Sequence, residues 1–248
     1  MNVLVSKKSW LLAPVLFAVG VICLILVWAV SDPVRLRAFF DCDGRSFFEA
    51  MTVAVYALIV PAVWLACPFG GSVKRKMLLC SAVTVTVVAA LMKQLDLHID
   101  MLSAMYPDAV AACKGTPFKM RFLRTGGVPF GAKAAVVVFL FALFGVFALL
   151  LAKYAKDFVK GVFRLHPVAW TVGCLGASGV MVQVCDRLPA WIRHSAGWDK
   201  DAMPVSFTSF CTALEEGGEM LLALFALLAI LQAHLLYCNQ GEKYRIDG

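Results

Sequence analysis

Residues 11–30 read LLAPVLFAVGVICLILVWAV, twenty successive residues without a charged side chain. A helix rises about 1.5 Å per residue, so this run is long enough to cross the roughly 30 Å hydrocarbon core of a bilayer. Lys7 and Lys8 before it, and the small-residue sequence Ala29-Val30-Ser31 at its end, are also features of a cleaved signal peptide. Because the run exceeds the roughly 7–15 apolar residues of a signal sequence, we predict a membrane-spanning helix.

The rest of the chain repeats this pattern. Of 248 residues, 61% are hydrophobic and 16% are charged, against roughly 45–50% and about 25% in soluble domains. A chain this apolar needs lipid as its solvent, so we predict an all-α, polytopic membrane helix bundle that forms a single domain over residues 1–248. The six predicted transmembrane helices lie near residues 11–30, 51–66, 77–92, 134–152, 168–184 and 220–237.

The density of lysine and arginine predicts the orientation. With the amino terminus inside, 11 of the 23 basic residues fall in short cytoplasmic segments, and the other 12 are spread over outer loops of about twice the total length. We therefore predict that both termini lie in the cytoplasm, with loops 31–50, 93–133 and 185–218 outside an inner (cell) membrane. The net charge of +7 is then explained by topology and does not indicate nucleic-acid binding. Thirteen of the 16 acidic residues fall outside, which favours an outward-facing polar site.

The first polar cluster follows the third predicted span, in the sequence Lys93-Gln94-Leu95-Asp96-Leu97-His98-Ile99-Asp100. In an extended chain Asp96, His98 and Asp100 would point the same way, as metal ligands do. In a helix Lys93, Asp96 and Asp100 would share a face and His98 would point away. The third span is short without these residues, which favours the helix. The alternative without a function is a set of interfacial salt bridges.

The second polar cluster is basic and lies in the same predicted outer loop. Lys119, Arg121 and Arg124 alternate with apolar residues. Cations at a bilayer surface bind phosphate well, arginine through its bidentate fork, so we predict phosphate or lipid binding here. Anchoring of the loop to anionic lipid is the alternative.

The third polar cluster, Glu215-Glu216-Gly217-Gly218-Glu219, directly precedes the sixth predicted span. Carboxylates are favoured at a helix amino terminus by its dipole, which gives a simple capping explanation. Charged groups at the membrane boundary must otherwise face protein, water or a cation. We predict that at least two of these glutamates point into the bundle, within reach of one or more of the other polar residues. These are Asp96, His98, Arg121, Arg124 and Arg187, the last of which ends the fifth span with Asp186.

Two further features concern packing. Ala169, Gly173 and Ala177 follow one another at intervals of four in the fifth span, and small residues at this spacing let helices approach closely in lipid. Cys185 and Cys211 both fall in the predicted outer loop, where an oxidising environment favours disulfides. We predict a bridge between them, with free thiols as the alternative.

The order of these motifs resembles that in a family of uncharacterised bacterial six-helix inner-membrane proteins. The resemblance lies in Lys93-x-x-Asp96-x-His98, Lys119-x-Arg121-Phe122, Asp186-Arg187-Leu188 and Glu215-Glu216-x-x-Glu219. It implies the six-helix layout and a set of polar residues at the outer face, but no activity. Many relatives carry an Arg-Glu pair where Met92-Lys93-Gln94 stands here, so the resemblance does not by itself imply an ionic role for the first cluster.

Together these features predict an outward-facing polar pocket between the third, fifth and sixth spans, which binds an anionic lipid head group or a cation. In an enzyme the six residues Asp96, His98, Asp100, Glu215, Glu216 and Glu219 would be catalytic, by holding a divalent metal or carrying protons, while Lys119, Arg121, Arg124 and Arg187 would hold phosphate. The alternatives are a non-enzymatic scaffold or assembly factor that docks a protein partner or a second copy, and a small transporter. The sequence does not decide whether the protein is an enzyme.

Overall fold

The computed structural model describes residues 4, 8–40, 46–66, 72–105, 107, 128–197 and 202–246. Within these ranges every regular element is helical. The helices are α1 (Leu12–Val30, preceded by a 3-10 turn at Ser9–Leu11), α2 (Pro33–Phe40), α3 (Phe47–Ala66), α4 (Val73–Gln94), α5 (Leu97–Met105), α6 (Phe130–Phe163), α7 (Pro167–Ala196) and α8 (Val205–Ile246).

The all-α prediction is confirmed for the described residues, and five of their helical segments are long and apolar enough to cross a membrane, as expected of a membrane-embedded protein. They are Ser9–Val30, Phe47–Ala66, Lys76–Gln94, Pro167–Ala196 and Val205–Leu236. The fourth predicted span, 134–152, lies inside the 34-residue helix α6, of which Phe130–Ala142 forms a shorter apolar stretch.

The last two helices are much longer than the predicted spans 168–184 and 220–237. Helix α7 continues to Ala196 and helix α8 begins at Val205, so the connection between them is short. The connection is therefore much shorter than the predicted loop 185–218, whose location outside the membrane stays a prediction. Counting apolar residues ends each span at its first charged residue, whereas a helix continues through charged residues that find partners or solvent.

The chain divides into two compact units, Met1–Thr84 with Phe158–Gly248 and Val85–Asp157. In the first unit, α8 packs against α7, α3, α1 and α2, which makes it the central helix. Its buried side chains include Leu214, Leu221 and Phe225. Most of the candidate residues described below lie on this helix or face it.

Two glycines allow close packing on opposite neighbours of the central helix. A Cβ at Gly217 would overlap the side chain of Leu24 in α1, and a Cβ at Gly218 would lie 2.8 Å from Met181 Cε and Val182 Cγ2 in α7. Because glycine lacks a side chain, both helices reach α8 at this level. The Gly217-Gly218 pair between the predicted site glutamates is thus a packing element.

The predicted small-residue face of α7 is present only in part. Ala169 is buried, and its Cβ lies 2.8 Å from a Cβ built at Gly161 near the end of α6. Ala177 is exposed, while its neighbour Ser178 is fully buried. The face of α7 that meets α8 is therefore the one through Ser178 and Val182.

Candidate functional site

A cavity of about 540 Å³ lies between α7 and α8, close to the connection that joins them. It belongs to the first unit. The residues that line it are Cys185, Asp186, Pro189, Arg193, Met203, Val205, Thr208, Cys211, Thr212 and Glu215. These residues come from α7, α8 and their connection, whereas the sequence predicts a pocket that also includes the third span.

Helical periodicity explains how the sequence builds this cavity. Lining residues recur every three or four positions along both helices, so each helix turns one face toward the space. Gly218 contacts Met181 and Val182. On each helix this contact lies about one turn farther from the α7–α8 connection than the lining residues Cys185 and Glu215. The lining residues all lie on the side of this contact nearer the connection between the helices.

Residues of both charges and a hydroxyl-bearing residue line this space. Arg193 supplies a guanidinium group, and Asp186 and Glu215 supply carboxylates. The Thr208 hydroxyl donates to the Val205 carbonyl over 3.0 Å, which leaves its lone pairs to accept a hydrogen bond. The cavity can therefore bind both an anionic and a cationic group of one ligand.

Asp186 also forms an ion pair with the next residue. Arg187 Nε lies 3.1 Å from Asp186 Oδ2, and the side chains are 54% and 48% exposed. An exposed pair of this kind contributes only about 0–1 kcal/mol to stability. Arg187, which the sequence places in the phosphate-binding set, therefore acts here on a carboxylate at the edge of the cavity.

Glu215 and Glu219 occupy different depths of the same helix. Glu215 is half-buried and lines the cavity, whereas Glu219, one turn further along α8, is only 8% exposed. The capping explanation for these residues is wrong, because α8 begins at Val205 and the glutamates lie well within it. Glu219 instead interacts electrostatically with Tyr56 of α3, which is 7% exposed. Glu216 is half-buried.

The two cysteines predicted to form a bridge are present as free thiols. Cys185 and Cys211 both line the cavity, and Glu215 is close enough to interact electrostatically with each. The predicted bridge is therefore not formed in this structure, although the sequence pairs two cysteines that the fold does bring together.

The first polar cluster belongs to the second unit, Val85–Asp157. The extended arrangement is wrong, because Leu97–Met105 is helical. Asp96 has a φ of +49° and separates α4 from α5, a backbone conformation that aspartate tolerates better than most residues. Lys93, Asp96 and Asp100 are exposed, and a continuous helical face through them is interrupted at Asp96. His98 lies in α5, and its side chain is outside the described part of the structure.

Several predicted relationships stay predictions. Lys119, Arg121 and Arg124 lie outside the described residues. Whether Glu215, Glu216 or Glu219 approaches this basic cluster therefore stays a prediction. Within the described part of the chain, no group of three or more histidine, cysteine, aspartate or glutamate side chains is placed to hold a metal ion. Glu215, Glu216 and Glu219 thus do not converge as a metal-ligand set.

A second polar contact was missed from the sequence. The fully buried Thr171 and Gln232 join α7 to α8, with the threonine hydroxyl 2.6 Å from Gln232 Oε1. Gln232 Nε2 has no hydrogen-bond partner among the described residues. In the same part of α8, His234 Nδ1 lies 2.6 Å from the Ala66 carbonyl oxygen at the end of α3. A lone glutamine in an apolar run was the only sequence signal for this contact.

Comparison with known protein families, curated proteins and solved structures finds no match to this chain. The resemblance to bacterial six-helix inner-membrane proteins accordingly stays a prediction. A functional assignment therefore depends on the cavity and on the chemistry of the residues that line it.

Proposed function

We propose that this chain is a multi-pass membrane protein whose α7–α8 cavity binds the headgroup of a zwitterionic lipid carrying a phosphate and an ammonium group. The observation that carries the proposal is the presence of Arg193, Asp186 and Glu215 around one space of about 540 Å³. A guanidinium group binds phosphate through paired hydrogen bonds, and carboxylates accept hydrogen bonds from an ammonium group.

The balance of charges favours a headgroup with both signs. A purely anionic headgroup would meet the two carboxylates, and a simple cation would meet Arg193. A ligand with both charges would place each beside its opposite. The sequence predicts an anionic head group or a cation as the ligand. The proposal replaces these two alternatives with one class, a headgroup that carries both charges.

The surroundings of the cavity support binding at headgroup depth. Trp191 lies on α7 between the lining residues Pro189 and Arg193 and is 58% exposed. Tryptophan is enriched where the hydrocarbon meets the headgroups. On the preceding turns of α7, Val180 and Val184 are 65% and 40% exposed. This apolar surface suits the acyl chains of a lipid whose headgroup enters the cavity.

The proposal includes the topology predicted from the sequence. Helix α6 has 34 residues, about 51 Å at 1.5 Å per residue, which is more than a membrane crossing needs. Counting it as a span makes six, with both termini in the cytoplasm and the cavity on the outer face of an inner membrane. Metal-assisted lipid chemistry, docking of a partner protein or a second copy, and transport stay alternatives without a specific structural observation in their favour.

Lipid binding by the full chain tests this function. The purified protein in detergent would be titrated with short-chain phosphatidylethanolamine and phosphatidylglycerol, and bound lipid would be counted by native mass spectrometry. We expect preferential binding of phosphatidylethanolamine. Arg193→Gln should weaken it by about tenfold or more, because a hydrogen bond to a charged group contributes about 1.5–3 kcal/mol.

Arg164→Gln is the matched control, because Arg164 is exposed in the turn after α6 and does not line the cavity. This variant should bind lipid like the unsubstituted protein. Equal affinity for both lipids, or unchanged binding by Arg193→Gln, would overturn the proposal.

A further inference from the structure

Two cysteine thiols face the same cavity from different helices. Cys185 of α7 is 6% exposed and Cys211 of α8 is 2% exposed, and both are free. Both line the cavity of about 540 Å³, and they are close enough to interact electrostatically. The cavity beside them is the route by which a small reagent would reach sulfur atoms that the bundle otherwise encloses.

We propose that Cys185 and Cys211 are a reversible dithiol–disulfide pair, oxidised by a small organic disulfide that enters the cavity and reduced again by a small thiol. The pair would link α7 covalently to α8 at the wall of the cavity. This inference concerns the chemistry of the two sulfur atoms and does not depend on headgroup binding.

The reaction takes place in two exchange steps. The Cys185 thiol loses its proton, and the resulting thiolate attacks one sulfur of the reagent, breaking the S–S bond of the reagent and releasing one thiolate, which takes up the proton. The thiolate of Cys211 then attacks the Cys185 sulfur of this mixed disulfide and releases the second small thiol. In sum, the protein loses two S–H bonds and gains one S–S bond, while the reagent is reduced to two thiols.

Other described cysteines provide the contrast. Cys174 lies on the same helix and is also a buried free thiol, 8% exposed, but it does not line the cavity. Cys80 is 1% exposed and its thiol donates to the Val63 carbonyl, with a sulfur–oxygen distance of 3.6 Å. Because exchange requires access to the sulfur, the cavity should distinguish Cys185 and Cys211 from these two.

Oxidation of the full chain tests the proposal. The protein is reduced in detergent, freed of reductant without air and exposed to hydroxyethyl disulfide. Remaining thiols are then blocked in denaturant, and disulfide-linked peptides are identified by mass spectrometry. We expect a Cys185–Cys211 link that dithiothreitol removes. It should form about tenfold or more faster than Cys174 takes up the reagent, because the cavity lies beside Cys185 and not beside Cys174. The intramolecular closing step then converts the mixed disulfide into the link before further reagent reacts.

Single substitutions resolve the two steps. In Cys211→Ser the reaction should stop at a mixed disulfide on Cys185, detected as one hydroxyethylthio adduct, whereas Cys174→Ser should leave the link unchanged. The measurement on the unsubstituted chain stands even if a variant fails to fold. Absence of the Cys185–Cys211 link, or reaction of Cys174 at the same rate, would overturn the proposal.

Discussion

Gly217 of α8 lies so close to Leu24 of α1 that a Cβ on the glycine would overlap both methyl groups of the leucine. Leu24 is 5% exposed and belongs to the buried core. The first apolar span therefore packs against the central helix beside the glutamates of the candidate site. Because Gly217 lies between Glu215 and Glu219, a substitution that disturbs this contact should affect both the packing of α1 on α8 and the positions of the two glutamates.

We expect Gly217→Ala to lower the free energy of unfolding by about 1–3 kcal/mol, as overpacking of a close helix contact does. Leu24→Ala should relieve the overlap, so the double variant should lose less stability than the sum of the single variants. Gly176→Ala is the control, because a Cβ there meets no atom within 4 Å. Thermal unfolding in detergent measures these effects, and equal stability of the Gly217 and Gly176 variants would contradict the contact.

Glu219 and Tyr56 should be energetically coupled across the interface between α8 and α3. Both are buried and they interact electrostatically. We expect Glu219→Gln and Tyr56→Phe to be non-additive by about 0.5–3 kcal/mol in a double-mutant cycle of unfolding free energies, because the charge of Glu219 acts on Tyr56 and interacting residues are generally non-additive.

Glu49→Gln provides the control for this cycle. The Glu49 carboxylate accepts a hydrogen bond from Ser46 N over 2.8 Å, and Glu49 N donates to Ser46 Oγ over 3.1 Å at the start of α3. This capping box stabilises the helix independently of α8. Glu49→Gln and Tyr56→Phe should therefore be additive. Additivity of the Glu219 and Tyr56 substitutions would exclude their coupling.

The buried contact between Thr171 and Gln232 predicts an asymmetric response to substitution. Thr171→Val should destabilise the protein by about 1–3 kcal/mol, because both polar ends of the buried Gln232 amide then lack a partner. Adding Gln232→Leu should recover most of this loss. Thr208→Val, which removes only an exposed hydroxyl bonded within α8, should have little effect on the midpoint of thermal unfolding. A double variant less stable than Thr171→Val would refute this account.

The proposed topology makes a prediction about labelling from outside intact cells. Lys74 and Ala196 are both exposed and lie near the ends of α4 and α7. With six spans and a cytoplasmic amino terminus, Ala196→Cys should react with a membrane-impermeant maleimide above the level of the parent chain, and Lys74→Cys should not. Labelling of Lys74→Cys would reverse the orientation. If neither variant is labelled above the level of the parent chain, α6 does not cross the membrane and the protein has five spans.

The length of the apolar runs was sufficient to predict the five described helices that are long and apolar enough to cross a membrane. The predicted span 11–30 coincides almost fully with α1, Leu12–Val30, because an uninterrupted apolar run of this length forms a stable structure in lipid only as a helix. The sequence also contains the signal for the start of α3, Ser46-x-x-Glu49, since a capping box depends on local spacing alone. Such features require no knowledge of distant contacts.

The start of α8 depended on tertiary packing, whereas the extension of α7 past Asp186 is accommodated by a local ion pair and by solvent. From the sequence, Asp186 and Glu219 mark the limits of the fifth and sixth spans, since charges interrupt the apolar pattern. In the folded chain, Glu219 is accommodated beside Tyr56 of another helix, and Asp186 pairs with Arg187 at an exposed position. The helices therefore extend beyond the apolar runs.

Some features of the candidate site follow from the sequence, and others follow only from the tertiary structure. The sequence alone identified Glu215 as a residue at a membrane-boundary site and paired Cys185 with Cys211. Tertiary structure alone placed Arg193 and Glu215 around one cavity and brought the charge of Glu219 near Tyr56. Hydrophobic length and helical periodicity are properties of neighbouring residues, so the sequence determines them directly. Which polar groups lie near one another depends on how helices pack, and the close contacts of Gly217 and Gly218 with α1 and α7 are part of that packing.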